Sequence, residues 1–142
     1  AFSPILPRNS ESRCISVSIR LIRKHAPQVK WILSFADGTQ CGDGTIYRAS
    51  GFHLTQLVRN KTLLEYQGQV IADKTLNNSN FKNAGISAGK LKKMGAKPLA
   101  GYQLRYIYLI SPDAKLAVPS IPLSKIQEMG ASMYKGEKAR EA

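Results

Sequence analysis

The stretch from Val29 to Phe52, VKWILSFADGTQCGDGTIYRASGF, constrains the fold of this chain more than any other. It begins with Trp31-Ile32-Leu33-Ser34-Phe35, an apolar run with the length and composition of a buried strand. A polar, Gly-rich loop follows from Asp37 to Gly44, where turn-forming residues cluster. Ile46, Tyr47, Ala49 and Ser50 then recur at helical spacing, and Gly51 stops them. Phe52 opens a new apolar run, so the order is strand, loop, short helix, strand.

Upstream, 1–7 holds two prolines and reads as an irregular lead-in. A helix opens at Arg8 to Arg13, with Asn9 or Ser10 as cap and Glu11 in its electropositive first turn. Cys14, Val17 and Leu21 form one apolar stripe, and Ile15, Ile19 and Ile22 an adjoining one. Together they predict a wide buried face, with Arg20, Arg23 and Lys24 near the polar side. Ala26 precedes Pro27, which ends the helix.

Downstream, strands are expected. His53 to Val58 extends the run begun at Phe52, and Leu63–Tyr66 and Gln69–Ala72 flank Gln67-Gly68 as a tight hairpin. The segment 77–100 reads as an insertion, polar and then basic, with Lys82, Lys90, Lys92, Lys93 and Lys97 and a short helix over Ser87 to Met94. It fits either a nucleic-acid backbone or a solvated loop. Tyr102 to Ile110 alternates Tyr102, Leu104, Tyr106, Tyr108 and Ile110 against Gln103, Arg105, Ile107 and Leu109. Both sets contain apolar residues, which predicts a central strand. Leu123 to Met129 makes a short helix ended by Gly130, and 137–142 should fray.

The charge balance narrows the partners. The chain has 21 Lys and Arg against 9 Asp and Glu, a formal net charge of +12. Such a field concentrates polyanions: nucleic acid, or a coenzyme carrying phosphates. No apolar run approaches the ~18 residues of a membrane-spanning helix, so no membrane association is expected. Cys14 and Cys41 suggest no disulfide framework, and with His25 and His53 they match no zinc spacing, so no metal is expected.

Ile46-Tyr47-Arg48-Ala49-Ser50-Gly51-Phe52, in its place after a strand and an Asp/Gly loop, resembles the late motif of the GCN5-related N-acetyltransferase (GNAT) superfamily. That resemblance implies an α/β (α+β) fold, a mixed twisted sheet flanked by helices. It also implies acetyl-CoA as donor, with Tyr47 protonating the leaving thiolate. A phenol can donate a proton without being charged beforehand. The superfamily holds the coenzyme pyrophosphate at the start of the preceding helix, which here points to Arg8, Asn9, Ser10, Ser12 and Arg13. The departure is plain, since Glu11 and Arg13 stand where glycines are usual.

RNSESR, SFAD, GTIYRASGF, LRYIYLI and SKIQEMGASMYKG, taken together from Arg8 to about Gly136, resemble the bacteriophage Mom family of DNA-modification proteins. That resemblance implies a single GNAT-like domain over 1–142 that is the C-terminal part of a larger core. It implies transfer of an acetyl-derived group to the N6 amine of adenine in double-stranded DNA. The setting would be the cytoplasm of an infected host, and the purpose protection from restriction.

Asp37, Tyr47 and Ser34 are the expected chemical groups: Asp37 to accept or orient the amine proton, Tyr47 as acid, and Ser34 to position a water or the base. Lys90, Lys92, Lys93 and Lys97 would hold phosphates, and the target base would be flipped out of the duplex. The sequence leaves other readings open. Asp37 beside Gly38 also suits an Asx turn, and Tyr47 also suits a half-buried aromatic. A plain acetyltransferase acting on tRNA and a non-catalytic nucleic-acid binder remain as alternatives.

Overall fold

A computed structural model describes residues 3, 5–39, 42–76, 85–134 and 137–138. The chain is mixed α/β, built on two small antiparallel three-stranded sheets and a few helices. Its longest helix, α1 (Ser10–His25), lies over the larger sheet. That sheet is made of β1 (Trp31–Asp37), β2 (His53–Arg59) and β6 (Tyr102–Leu109), in the order β1-β6-β2. The expected central strand is therefore central, and it pairs antiparallel on both sides.

Register explains the core. Ser34 lies opposite Tyr106, Ala36 opposite Leu104, and Leu54 also opposite Tyr106. The side chains on this face of β6, Tyr102, Leu104 and Tyr106, are buried. Leu54 and Leu57 are three residues apart, yet both are buried. The register shift between Leu54 and Gln56 inserts Thr55 as an extra residue and restores the inward phase, as a β-bulge does. Ile126 and Ala131, both fully buried, close this core from the C-terminal side beside α5 (Ser124–Glu128).

Two expectations about burial are corrected. β1 is an edge strand with only one face covered, so Trp31, Leu33 and Phe35 remain exposed, Phe35 at 62%. On α1 only the stripe of Ile15, Ile19 and Ile22 meets the sheet side. Val17 and Leu21 face outward and Cys14 stays exposed at the cavity rim, because a helix on one flat sheet buries one stripe and not two.

The smaller sheet has the order β4-β3-β5, from β3 (Leu63–Tyr66), β4 (Gln69–Ala72) and β5 (Lys97–Pro98). Gln67 and Gly68, with φ of 50° and 76°, turn the β3–β4 hairpin as expected. Leu64, Leu76, Leu91 and Ala96 make its core, using α3 (Asp73–Leu76) and α4 (Ala88–Lys93). Buried Asn60 ties this sheet to the strands before and after it. Its amide donates to the carbonyls of Leu63 and Leu99, and its oxygen accepts from the N–H groups of Thr62 and Leu63.

Of the expected basic insertion, 77–84, including Lys82, lies outside the described residues, as does Cys41. Residues 85–100 include α4 and β5. Of the tail 137–142, expected to fray, the described residues are Glu137–Lys138, which form β8 and pair with β7 (Met133–Tyr134); 139–142 lie outside the described residues. Among the described residues no helix is long and apolar enough to cross a membrane.

Candidate active site

α2 (Thr45–Ala49) is only five residues long, and its position depends on what holds its entry. Asp43, just before it, is buried to 4% exposure. Its Oδ1 accepts from the Thr45 hydroxyl and the Arg48 guanidinium, both at 2.9 Å, and its Oδ2 accepts from Ser132 at 3.2 Å. Its main-chain carbonyl accepts from the Tyr106 hydroxyl at 2.5 Å. Burial pushes the Tyr106 phenol up to about 12, offset by Arg48 and reinforced by Asp43. Gly44, with φ of 81°, presses on the Tyr106 ring, and an added Cβ would sit 2.5 Å from it. A side chain at position 44 would therefore displace either the ring or the helix.

Anchored in this way, α2 presents Tyr47 to the sheet. The Tyr47 ring lies 5.4 Å from that of Tyr106 and 5.3 Å from that of Phe52, both tilted. Tyr47 and Ser34 line one cavity of about 390 Å³ between α1, α2 and β1. Its other walls are mainly apolar, from Ile15, Ile19, Ile22, Ile32, Ile46 and Phe52, with Glu11, Cys14 and Ser18 also lining it. A mostly apolar cavity with a few convergent hydroxyls suits a small-molecule site.

Asp37 is not among the residues lining this cavity. Three positions after Ser34 on the same strand, it falls on the opposite face of the sheet. Its Oδ1 accepts from the Thr39 N–H at 3.0 Å and from the Thr39 hydroxyl at 2.5 Å. This is the Asx turn that Asp37-Gly38 suggested. The turn packs on Gly101, where an added Cβ would lie 2.7 Å from Thr39. The Gly38 N–H donates to the Tyr102 carbonyl. Asp37 therefore fixes the first corner of the loop whose other end is α2.

At the start of α1, Asn9 occupies the cap position in a left-handed conformation (φ 69°), and its side chain caps nothing. The Ser10 hydroxyl donates to the Pro7 carbonyl and the Ser12 hydroxyl to the Asn9 carbonyl. Arg8, Asn9 and Ser10 line none of the described cavities, whereas Ser12 and Arg13 do. They belong to a groove of about 510 Å³ on the other flank of α1, with Ser16, Arg20, Arg23, Ser50 and Tyr108. Arg23 donates to the Tyr108 hydroxyl at 3.1 Å. Lys90, Lys92, Lys93 and Lys97 are all exposed, on α4 and β5 of the smaller sheet.

Sequence reasoning did not assign roles to Asp43, Arg48 and Tyr106. The available signal was an acid two residues before Thr45 and five before Arg48, at the mouth of a helix too short to hold itself.

The elements define a mixed α/β protein with one cavity for a small group and a basic groove beside it. The chain belongs to the Mom protein family, whose model matches residues 1–125. It is also similar to methylcarbamoylase Mom of Escherichia phage Mu, 41% identical over 73 residues. That alignment covers 51% of this chain and 30% of the phage protein.

Proposed function

We propose that the chain is a phage DNA-modifying enzyme that transfers an acetyl-derived group to the N6 amine of adenine. It would act inside an infected bacterium and so shield phage DNA from restriction. The observation that carries this reading is the meeting of Tyr47 and Ser34 in one apolar-walled cavity, in a chain of the Mom family. The net charge of +12 supports a nucleic-acid substrate. The order helix, strand, short helix, strand supports a GNAT-type transfer.

The cavity is of a size for the acyl end of acetyl-CoA, and Ile15, Ile32, Ile46 and Phe52 would enclose it. That donor supplies an activated acetyl-derived group. The start of α1 fits the phosphates less well, since Glu11 brings a carboxylate and the Ser10 and Ser12 hydroxyls donate to backbone carbonyls. Tyr47 holds a proton at its hydroxyl on the cavity wall, where a departing anion would need it. Ser34, on the facing strand, orients the incoming amine through its hydroxyl. The apolar walls lower the local polarity, which strengthens both polar contacts. Asp37 fixes the turn at Thr39 after β1, while Asp43 anchors the entry of α2 and so the position of Tyr47.

Mass analysis of nucleosides from cells expressing the protein tests the reading. A new adenine species is expected, absent from cells expressing Tyr47→Phe. Acetylation of tRNA with unmodified DNA would replace this reading with a plain acetyltransferase, and no modified nucleoside at all would leave a non-catalytic binder. The role of Asp37 is separable. Asp37→Asn keeps an oxygen for both Thr39 donors and should retain the product, whereas Asp37→Ala should lose most of it. Equal loss in both variants would make Asp37 a proton acceptor instead.

A further inference from the structure

The groove on the outer flank of α1 has a composition that the proposed chemistry does not use. Arg13, Ser16, Arg20 and Arg23 follow at steps of three, four and three, which sets them in one row along the helix. Ser50 and Tyr108 form the opposite wall. None of the described residues lining the groove is acidic, and among the described residues no salt bridge involves Arg13, Arg20 or Arg23. Three guanidinium groups thus share one groove with no carboxylate to neutralise them. Like charges gathered without a partner repel one another, so the arrangement gains most from an anion.

The row favours an extended polyanion, as does the net charge of +12. Ten residue steps at about 1.5 Å each make the row about 15 Å long. A single nucleic-acid strand presents a phosphate roughly every 3.4 Å along its axis. The row therefore spans successive phosphates along one strand; coenzyme A, with a pyrophosphate and a separate ribose phosphate, is the competing anion, and the binding experiments below separate the two. The geometry points to this groove as the seat of the DNA phosphodiester backbone, gripped by Arg13, Arg20 and Arg23 with hydroxyls from Ser16 and Ser50. This rests on the DNA-modifying reading and deepens it. It moves the main backbone contact from the exposed lysines of α4 to α1.

The position also suits base extrusion. Ile19 lines both the groove and the Tyr47 cavity, and α2 contributes Tyr47 to one and Ala49 to the other. Backbone held in the groove lies one helix width, about 10 Å, from the cavity. An enzyme that takes a base out of the stack must hold the strand beside it.

Fluorescence anisotropy with a short labelled duplex, titrated with the 142-residue chain at several salt concentrations, tests the assignment. Arg20→Glu is the primary variant, because Arg23 also braces Tyr108. Its affinity should fall roughly tenfold or more, with the salt slope reduced by about one or two. Arg20→Lys should recover most of the affinity, and thermal melts should show both variants folded. Lys74→Glu, the same charge change on the smaller sheet's α3, should lose far less.

Equal losses from Arg20→Glu and Lys74→Glu would reduce the groove to general charge and overturn the assignment. So would wild-type binding by Arg20→Glu, or failure of the wild-type chain to bind duplex. Weaker binding of coenzyme A by Arg20→Glu, with duplex binding intact, would give the groove to the coenzyme. Modified adenine in cells with an indifferent Arg20 sinks the groove alone. A groove that binds duplex in a protein that modifies no base sinks the enzyme reading alone.

Discussion

The two flanks of α1 differ in almost everything except the helix that separates them. One flank, with Ile15, Ile22 and the sheet residues Ile32 and Ser34, borders a cavity lined mainly by apolar side chains, with Tyr47 in its wall. The other, with Arg13, Arg20 and Arg23, forms a groove lined by cations and hydroxyls. Ile19 is the shared rib, buried to 5% exposure. A single amphipathic helix usually separates core from solvent. Here a row of arginines adjoins the sheet-facing stripe, and each flank offers a different chemistry. The apolar flank suits uncharged acyl chemistry, where low polarity magnifies each hydrogen bond. The cationic flank suits a ligand bound by charge and read through its salt dependence.

The largest effect should come from removing the rib. Ile19→Ala leaves a void under both flanks and should cost about 2–5 kcal/mol of stability. Denaturant unfolding would measure it, and duplex binding and base modification should fall together. If one activity survives intact, the flanks are not mechanically joined through Ile19. Tyr47→Phe should separate them. Base modification is expected to fall about 100-fold or more, with duplex affinity unchanged. A parallel fall in affinity would mean that the ring contributes to the DNA seat as well.

What the sequence disclosed, and what it withheld, follows the same division. Local pattern was enough for the elements. Alternation placed Tyr102 to Ile110 as the central strand, Gln67-Gly68 marked the hairpin, and Gly51, Gly95 and Gly130, all at positive φ, close their helices. The short helix carrying Tyr47 was legible for the same reason, since its stop signal lies in the adjacent residues.

Relations across the chain were not legible. Periodicity alone could not tell which stripe of α1 would meet the sheet, so Val17 and Leu21 counted as core although they are exposed at 44% and 52%. Asp37 and Tyr47 are close in sequence, but strand parity sets Asp37 on the other side from Ser34. Asp43 reaches Ser132, 89 positions away, through a contact that no local pattern encodes. The arginine row was visible as spacing; the missing fact was the absence of any acid on the wall opposite.

The smallest expected effect concerns the support beneath the cavity. Tyr106 is fully buried, and its hydroxyl donates to the Asp43 carbonyl that sets the entry of α2. Tyr106→Phe keeps the ring and removes that bond, at a cost of about 1 kcal/mol near neutral pH. The alkaline limb gives a second and more specific readout. The folded phenol is pushed up to about 12, above its ordinary value of 10.0, because burial disfavours the anion. Below pH 10 both folded and unfolded chains keep this proton, and its contribution is fully present. Between pH 10 and 12 the unfolded chain loses the proton while the folded chain retains it, so stability falls as pH rises. Tyr106→Phe should lack that component, and its stability should decline less steeply over the same interval in otherwise identical unfolding experiments. Equal slopes for the two proteins would mean that the phenol is not sealed by the fold, and that Asp43 and α2 lack the rigid floor on which the orientation of Tyr47 depends.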